Sequence, residues 1–163
     1  MERAIATLFG LGHLRPAPGT IASAVAVLVG LALHRIGHFP LLAFATVLVT
    51  ILGFWAVERI LPGQEDQDPS EFVIDEVAGQ WLALCFPSFG FWLMGLPADM
   101  FPYPGWVAAF LFFRLFDIWK PWLVGRADRH GGTVGLMLDD LWAGLFAGVA
   151  TMIAAGISHG VFM

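Results

Sequence analysis

The amino-acid sequence predicts an all-α integral membrane protein, a bundle of about five transmembrane helices preceded by a short N-terminal interfacial helix. Of the 163 residues, 58% are hydrophobic and 13% are charged, whereas roughly 25% are charged in a typical soluble domain. The apolar residues form segments close to the length of about 20 residues that a membrane crossing needs. Most charged residues lie between these segments or at their ends. The length fits a single membrane-embedded domain over residues 1–163.

The N-terminal part predicts a surface helix and then the start of a spanning helix. Residues 2–11 fit a short amphipathic helix at the membrane interface. Between this helix and the first span, Pro16 and Pro18 oppose helix formation, and Thr20 can cap the helix that follows. Gly19 and Thr20 either simply begin this helix, or place backbone N–H groups and a hydroxyl where a phosphate can bind.

Two spans and a polar loop come next. Residues 21–36 form the first predicted span, with His34 and His38 near its far end as expected interfacial anchors. Residues 41–61 form the second span. The stretch PGQEDQDPSEF (62–72) is polar and turn-forming, which predicts a surface loop.

The third element, residues 72–93, begins with an acidic pair. Asp75 and Glu76 fall near its first turn, and Pro87 and Gly90 predict a kink or a break later in it. Acidic residues favour helix N-termini through the helix dipole. The apolar residues 72–74 precede this pair, however, which favours a functional role over a solvated cap.

The fourth span, residues 106–119, ends in a charged face. Arg114 and Asp117 are three residues apart and share one side of the helix, and Lys120 extends that side. A structural ion pair alone is the alternative interpretation. The polar loop GRADRHGGTVG (125–135) follows, in which Arg126 is a further candidate for phosphate binding.

The fifth span begins near Leu136 and carries a second acidic pair, Asp139 and Asp140. Gly144 and Gly148 follow at the spacing that lets two helices approach closely. This glycine face packs either against another helix of the chain, such as the one that carries Asp75 and Glu76, or against a second copy in a homodimer.

The distribution of basic residues predicts the orientation. With five spans, the N-terminus, the 62–72 loop and the 119–137 loop lie on one side, which holds most of the arginines and lysines of the chain. The positive-inside rule places that side in the cytoplasm. The PGT turn, both acidic pairs and the charged face of the fourth span therefore converge at the cytoplasmic end.

This set of carboxylates and basic groups at one end favours metal-assisted phosphate chemistry. Carboxylate oxygens suit Mg²⁺, Mn²⁺ or Ca²⁺ rather than zinc, and Mg²⁺ completes its shell with water and substrate phosphate. An activated water would be the nucleophile, and basic groups would stabilise the phosphate. The absence of a basic run argues against a nucleic-acid partner. The main alternative is a small ion-coupled membrane transporter subunit that uses the intramembrane carboxylates.

Four stretches in order give a more specific indication. They are PAPGTIAS (16–23), DPSEFVIDEVAG (68–79), FRLFDIWKP (113–121) and GGTVGLMLDDLWAG (131–144). Through them the chain resembles the phosphatidylglycerophosphatase A family of bacterial inner-membrane enzymes. The resemblance implies Mg²⁺-dependent dephosphorylation of phosphatidylglycerophosphate to phosphatidylglycerol, which agrees with a multi-pass protein whose site faces the cytoplasm.

Residue roles are assigned on the same basis. We predict Asp75, Glu76, Asp139 and Asp140 as metal ligands. Asp117 is a further ligand or the base that orients the attacking water, and with Glu76 and Asp140 it forms the predicted catalytic set. The predicted phosphate-binding residues are Thr20, Arg114, Lys120 and Arg126.

Overall fold

A computed structural model describes residues 1–63 and 69–162, and within these ranges the regular structure is entirely helical. Part of the predicted 62–72 loop, residues 64–68, lies outside the described residues. The described residues form six α-helices, with short 3₁₀ turns at Leu11–His13 and Leu61–Gly63. The helices are α1 (Glu2–Ala6), α2 (Pro18–Ile60), α3 (Ile74–Leu93), α4 (Tyr103–Trp119), α5 (Leu123–Asp128) and α6 (Gly132–Phe162).

Helix α2 contains both of the first two predicted spans. A straight helix of 43 residues would be about 65 Å long, roughly twice the thickness of the hydrocarbon core of a bilayer. The backbone leaves helical geometry at Gly37 and at His38, where φ is 57° and ψ is −157°. Pro40 follows, at a position where it cannot donate a helical hydrogen bond.

The two arms of α2 run in opposite directions along α3. In the first arm, the carbonyl of Ala26 accepts a hydrogen bond from Trp81 at 2.8 Å, and His34 lies 2.7 Å from Ser88. Residue numbers therefore increase in the same direction along this arm and along α3, which makes the two parallel. In the second arm, Thr46 lies 3.5 Å from Cys85, whereas the later Gly53 faces Ile74 near the start of α3. The chain therefore reverses at Gly37–His38, as two separate spans require.

Two sequence expectations need correction here. His34 is fully buried and bonded to Ser88 through Nδ1, so it does not anchor the chain at a water interface. Pro87 lies inside α3, which continues as one helix to Leu93, so of the predicted kink or break the break is wrong. The predicted surface helix is real but shorter than expected, since Leu8 and Phe9 have positive φ values just after α1.

Two helices, α2 and the Gly132–Ser158 part of α6, are long and apolar enough to cross a membrane. In their most apolar stretches only 33% and 28% of the residues are buried within the protein, whereas the core helix of a soluble protein is mostly buried. Large apolar side chains are exposed along both helices, including Leu28, Phe44, Ile51 and Ile153. Because exposed apolar surface of this extent marks a lipid or protein contact, the helices indicate membrane association. The number of crossings stays a prediction.

Glycines bring α3 and α6 into contact. A Cβ on Gly144 would collide with the backbone of Gly79, and a Cβ on Gly148 would collide with the ring of Phe86. The glycine face of α6 is thus covered by α3 of the same chain, the first of the two alternatives. A homodimer would have to use a different surface.

Candidate active site

A polar cavity of about 270 Å³ opens at one end of the helix bundle. The starts of α2, α3 and α6 and the end of α4 meet there, together with the segment that precedes α3. We call it the acidic pocket. Its lining residues are Ala17, Pro18, Gly19, Thr20, Ser70, Phe72, Val73, Asp75, Glu76, Arg114, Asp117, Lys120, Asp139 and Asp140. The predicted convergence of four polar clusters at one end is therefore confirmed.

Three carboxylates in this pocket are close enough to share one ion. Glu76 of α3, Asp117 of α4 and Asp140 of α6 each offer an oxygen, and these oxygens lie within 4.8 Å of one another. Asp140 is almost completely buried, with 3% of its surface exposed. An all-oxygen donor set of this kind suits a hard cation such as Mg²⁺, Mn²⁺ or Ca²⁺.

One guanidinium is shared between two of these carboxylates. Nη1 of Arg114 lies 2.5 Å from Oε2 of Glu76 and 2.7 Å from Oδ2 of Asp117. Three carboxylates against one guanidinium leave an excess of two negative charges when all are ionised. Uncompensated charge is costly where water is scarce, so the cluster as built favours the binding of a divalent cation.

Tight backbone packing sets the spacing of the three carboxylates. A Cβ on Gly79 would overlap the carbonyl of Asp140 and, at 2.6 Å, the ring of Phe113. Since Gly79 lies one turn after Glu76, the close approach of α3 to α6 and α4 holds Glu76 beside Asp140. The glycines therefore affect the site by allowing the helices to approach closely, and they contribute no polar side chain to it.

The first turn of α2 also faces the pocket. Pro18 is at the start of the helix, and Ala17 before it provides no side-chain cap, so no side chain at the cap position satisfies the first N–H groups. Gly19 and Thr20 supply such groups beside the pocket. Unsatisfied N–H groups and the positive end of the helix dipole form a ready anion site.

Ser23 and Gly19 position Glu76 from the α2 side. The Ser23 hydroxyl lies 2.8 Å from both Oε2 of Glu76 and the carbonyl oxygen of Gly19, so it can donate to either. A Cβ on Gly19 would overlap the Glu76 carboxylate. Sequence reasoning assigned no role to Ser23, although it lies within the PAPGTIAS stretch.

Lys120 lies at the pocket edge, where it ends α4 with a positive φ of 48°. Its ammonium donates to Asp128 and, at 3.0 Å, to Asp139. Burial lowers the pKa of Lys120, but the bonds to Asp128 and Asp139 and their charges outweigh burial and raise the pKa above its usual value. Lys120 is therefore a permanent cation that ties the α4–α5 connection to α6.

The remaining acids, Asp75 and Asp139, line the pocket outside the compact group of three. Each accepts a 2.9 Å bond from the N–H of the following residue, Glu76 or Asp140. They belong to the predicted ligand set, but the structure brings Asp117 into the compact group in their place.

Arg126 is not at this site. It is exposed on α5 and lines a different cavity with Leu123, His130 and Trp142. The fold turns α5 so that Val124 and Ala127 are buried, which directs Arg126 away from the acidic pocket. The sequence prediction of Arg126 as a phosphate ligand therefore has no geometric support.

Comparisons with known proteins agree on one enzyme class. The family model described as phosphatidylglycerophosphatase A matches residues 4–155. The chain is 31% identical to the phosphatidylglycerophosphatase A of Escherichia coli, over 95% of this chain and 80% of that protein. It is 29% identical to the Haemophilus influenzae protein of the same name, over 88% and 82% of the two chains.

A relative with a different name is also similar. A Bacteroides thetaiotaomicron protein named "Putative phosphatidylinositol-3-phosphatase" is 34% identical over 92% of this chain and 91% of its own length. No solved structure matches the chain. The relatives' names share one kind of chemistry, the removal of a phosphate from a phospholipid headgroup.

Proposed function

The chain belongs to the phosphatidylglycerophosphatase A family and is a lipid phosphatase, and from this premise we propose that it hydrolyses the terminal phosphomonoester of phosphatidylglycerophosphate. The products are phosphatidylglycerol and inorganic phosphate. The observation that carries the proposal is the compact group of Glu76, Asp117 and Asp140, which lies beside the uncapped start of α2 in one cavity.

We assign Glu76, Asp117 and Asp140 as the ligands of a Mg²⁺ ion. The donor set fits, since all three groups are carboxylates and their negative charge exceeds that of Arg114 by two. A bound Mg²⁺ supplies Lewis-acid polarisation of the phosphate and lowers the pKa of a water molecule. Asp75 and Asp139 support the ligands from the same pocket, as outer members of the predicted set.

The protein itself binds and orients the phosphate. The N–H groups of Gly19 and Thr20, with the Thr20 hydroxyl, donate to its oxygens from the start of α2. Arg114 stabilises the charge that develops on these oxygens, and Lys120 does so from the opposite rim. Asp117 would also orient the attacking water and accept its proton.

The proposed topology has five crossings, formed by the two arms of α2 and by α3, α4 and α6. The end that bears the acidic pocket also bears Arg3, Arg59 and Lys120, which lie near the pocket or on the elements that lead to it. By the positive-inside rule this end faces the cytoplasm of a bacterial inner membrane. The substrate phosphate would then meet the site at the membrane surface.

The experiment measures phosphate release by the detergent-purified protein from phosphatidylglycerophosphate in mixed micelles. Chelation with EDTA should abolish release and Mg²⁺ should restore it. Asp140→Asn should lower kcat by at least about 100-fold, because a charge that acts at the reacting phosphate is lost. Asp99→Asn is the matched control, since Asp99 is exposed in the loop between α3 and α4. Full activity of Asp140→Asn, or release that is insensitive to EDTA, would contradict the metal assignment.

Phosphatidylinositol 3-phosphate is a second candidate substrate, favoured by the 34% identity to the Bacteroides thetaiotaomicron relative. The same assay distinguishes the two lipids through their kcat/KM values.

The transporter alternative finds no support, because the intramembrane acids gather at one end of the bundle rather than along a path through it.

A further inference from the structure

A second, larger cavity of about 680 Å³ adjoins the acidic pocket. The two cavities share Pro18 and Ser70 as lining residues, so they open on either side of the start of α2 and the segment before α3. We call the second cavity the basic vestibule. It is lined by Arg3, Gly12, His13, Arg15, Pro16, Pro18, Pro69, Ser70 and Glu71.

The charge of the vestibule is opposite to that of the acidic pocket. Arg3 and His13 contact the same carboxylate, Glu71, at 2.9 Å and 3.4 Å. Among the described residues, Arg15 has no salt-bridge partner, and its side chain is exposed. Among the described lining residues, two arginines against one glutamate leave one excess positive charge, with Arg15 as its source.

The segment that contributes His13 and Arg15 to the vestibule also exposes apolar side chains. Leu14, between His13 and Arg15, is 47% exposed, and Phe9 on the same segment is 87% exposed. Basic and bulky apolar side chains that alternate on one exposed segment are typical of a surface that meets lipid headgroups and the first acyl carbons. This segment is therefore suited to contact lipid beside the vestibule.

We infer that the basic vestibule binds the phosphodiester of the lipid substrate while the terminal phosphomonoester lies in the acidic pocket. The inference rests on the proposed function and specifies its substrate class. Phosphatidylglycerophosphate has a polyol headgroup with a diester phosphate on its membrane side and a monoester phosphate on its far side. Two adjoining cavities, one with arginines in its lining and one built around carboxylates for a metal ion, provide one site for each of these two anions.

The main consequence concerns specificity. The vestibule selects lipids that carry both a phosphodiester and a phosphomonoester, and Arg15 is the residue that recognises the diester. A contact that is equally strong in the substrate complex and in the transition state changes KM and leaves kcat unchanged. Arg15 should therefore act on KM alone.

The test compares wild type with Arg15→Gln, Arg15→Lys and the control Arg129→Gln, which removes an exposed arginine outside both cavities. With phosphatidylglycerophosphate in mixed micelles, Arg15→Gln should raise KM about tenfold, as expected for one charge-assisted hydrogen bond. Its kcat should stay within about twofold of wild type. Arg15→Lys should recover part of the loss, and Arg129→Gln should resemble wild type.

Two inhibitors separate the cavities. Phosphatidylglycerol carries only the diester, and inorganic phosphate resembles only the monoester. Arg15→Gln should weaken inhibition by phosphatidylglycerol about as much as it raises KM, and should leave inhibition by phosphate unchanged.

The outcomes distinguish failure of the inference from failure of the proposed function. If wild type releases phosphate but Arg15→Gln behaves like wild type, the vestibule does not bind the diester. Equal weakening of both inhibitors, or a fall in kcat, would show a general structural role and would also overturn the inference. If wild type releases no phosphate from phosphatidylglycerophosphate, the proposed function fails and the inference falls with it.

Discussion

The Gly19→Ala substitution tests the site most directly, because it adds one methyl group and removes no polar group. Gly19 lies in the first turn of α2, and its backbone faces the Glu76 carboxylate. A Cβ built there overlaps Oε1 of Glu76, lies 2.9 Å from its Cδ and lies 3.5 Å from Nη1 of Arg114. The methyl would therefore occupy space that the predicted metal ligand now fills.

The size of the effect follows from these distances. Carbon atoms in contact are normally about 3.5–4.0 Å apart, so the carboxylate carbon must move by at least about half an ångström. It cannot move freely, since Glu76 is held by Arg114 at 2.5 Å and by Ser23 at 2.8 Å. A displacement of about 1 Å in a reacting assembly can cost about 100-fold in rate, so we expect kcat to fall by about 10- to 100-fold.

The assay combines kcat with thermal stability in the same detergent. Alanine is favoured over glycine in a helix by up to about 1 kcal/mol, which offsets part of the strain, so the melting temperature should change little. Gly156→Ala is the matched control, because a Cβ there meets no atom within 4 Å. If Gly19→Ala kept the kcat of wild type, Glu76 would not need its present position, and its assignment as a metal ligand would be refuted.

Two further predictions concern packing and a buried amide. Gly144→Ala places a methyl group against the Gly79 backbone. Because overpacking of this kind costs about 1–3 kcal/mol of stability, the melting temperature and kcat should both fall. An unchanged melting curve would contradict the close packing of α3 and α6. Gln80 is fully buried, and neither side-chain amide atom has a partner among the described residues. Because an unsatisfied buried polar group costs about 1–3 kcal/mol, Gln80→Leu should raise the melting temperature, whereas a clear fall would reveal a partner of the amide.

The positions of the helices could be predicted because hydrophobic length and charge placement are local properties. The predicted spans 21–36 and 41–61 correspond to the two arms of α2, and the turn between them falls at Gly37–His38. The role of His34 could not be predicted, since its burial depends on Ser88, 54 positions later. Pro87 was expected to kink or break α3, but α3 runs as one helix from Ile74 to Leu93.

The sequence predicted which groups of polar residues meet at the site, but it predicted less well which individual side chains contact one another. Sidedness alone requires that Asp75, Glu76, Asp139 and Asp140 face the same end. Which member of each pair points inward depends on the rotation of α3 and α6, and that rotation is fixed by the packing of Gly79 against Gly144. The prediction that Arg126 binds phosphate failed for a similar reason. The orientation of the short helix α5 is set by its burial against α6 and not by its own sequence.

The arrangement also explains how a very apolar chain can hold so many charges. The carboxylates of the compact group gather in a polar cavity at one end of the helix bundle, where charge costs less than at a helix centre surrounded by lipid. Glu76 lies in the first turn of α3, where the helix dipole favours negative charge, whereas Asp140 lies beyond the first turn of α6. Asp117 lies near the end of α4, where the dipole opposes it, and there Arg114 forms an ion pair with it at 2.7 Å. Asp117 thus has the arginine of its own helix, and Glu76 has the same arginine and a helix start. The nearly fully buried Asp140 relies on the ion that we propose the three carboxylates share.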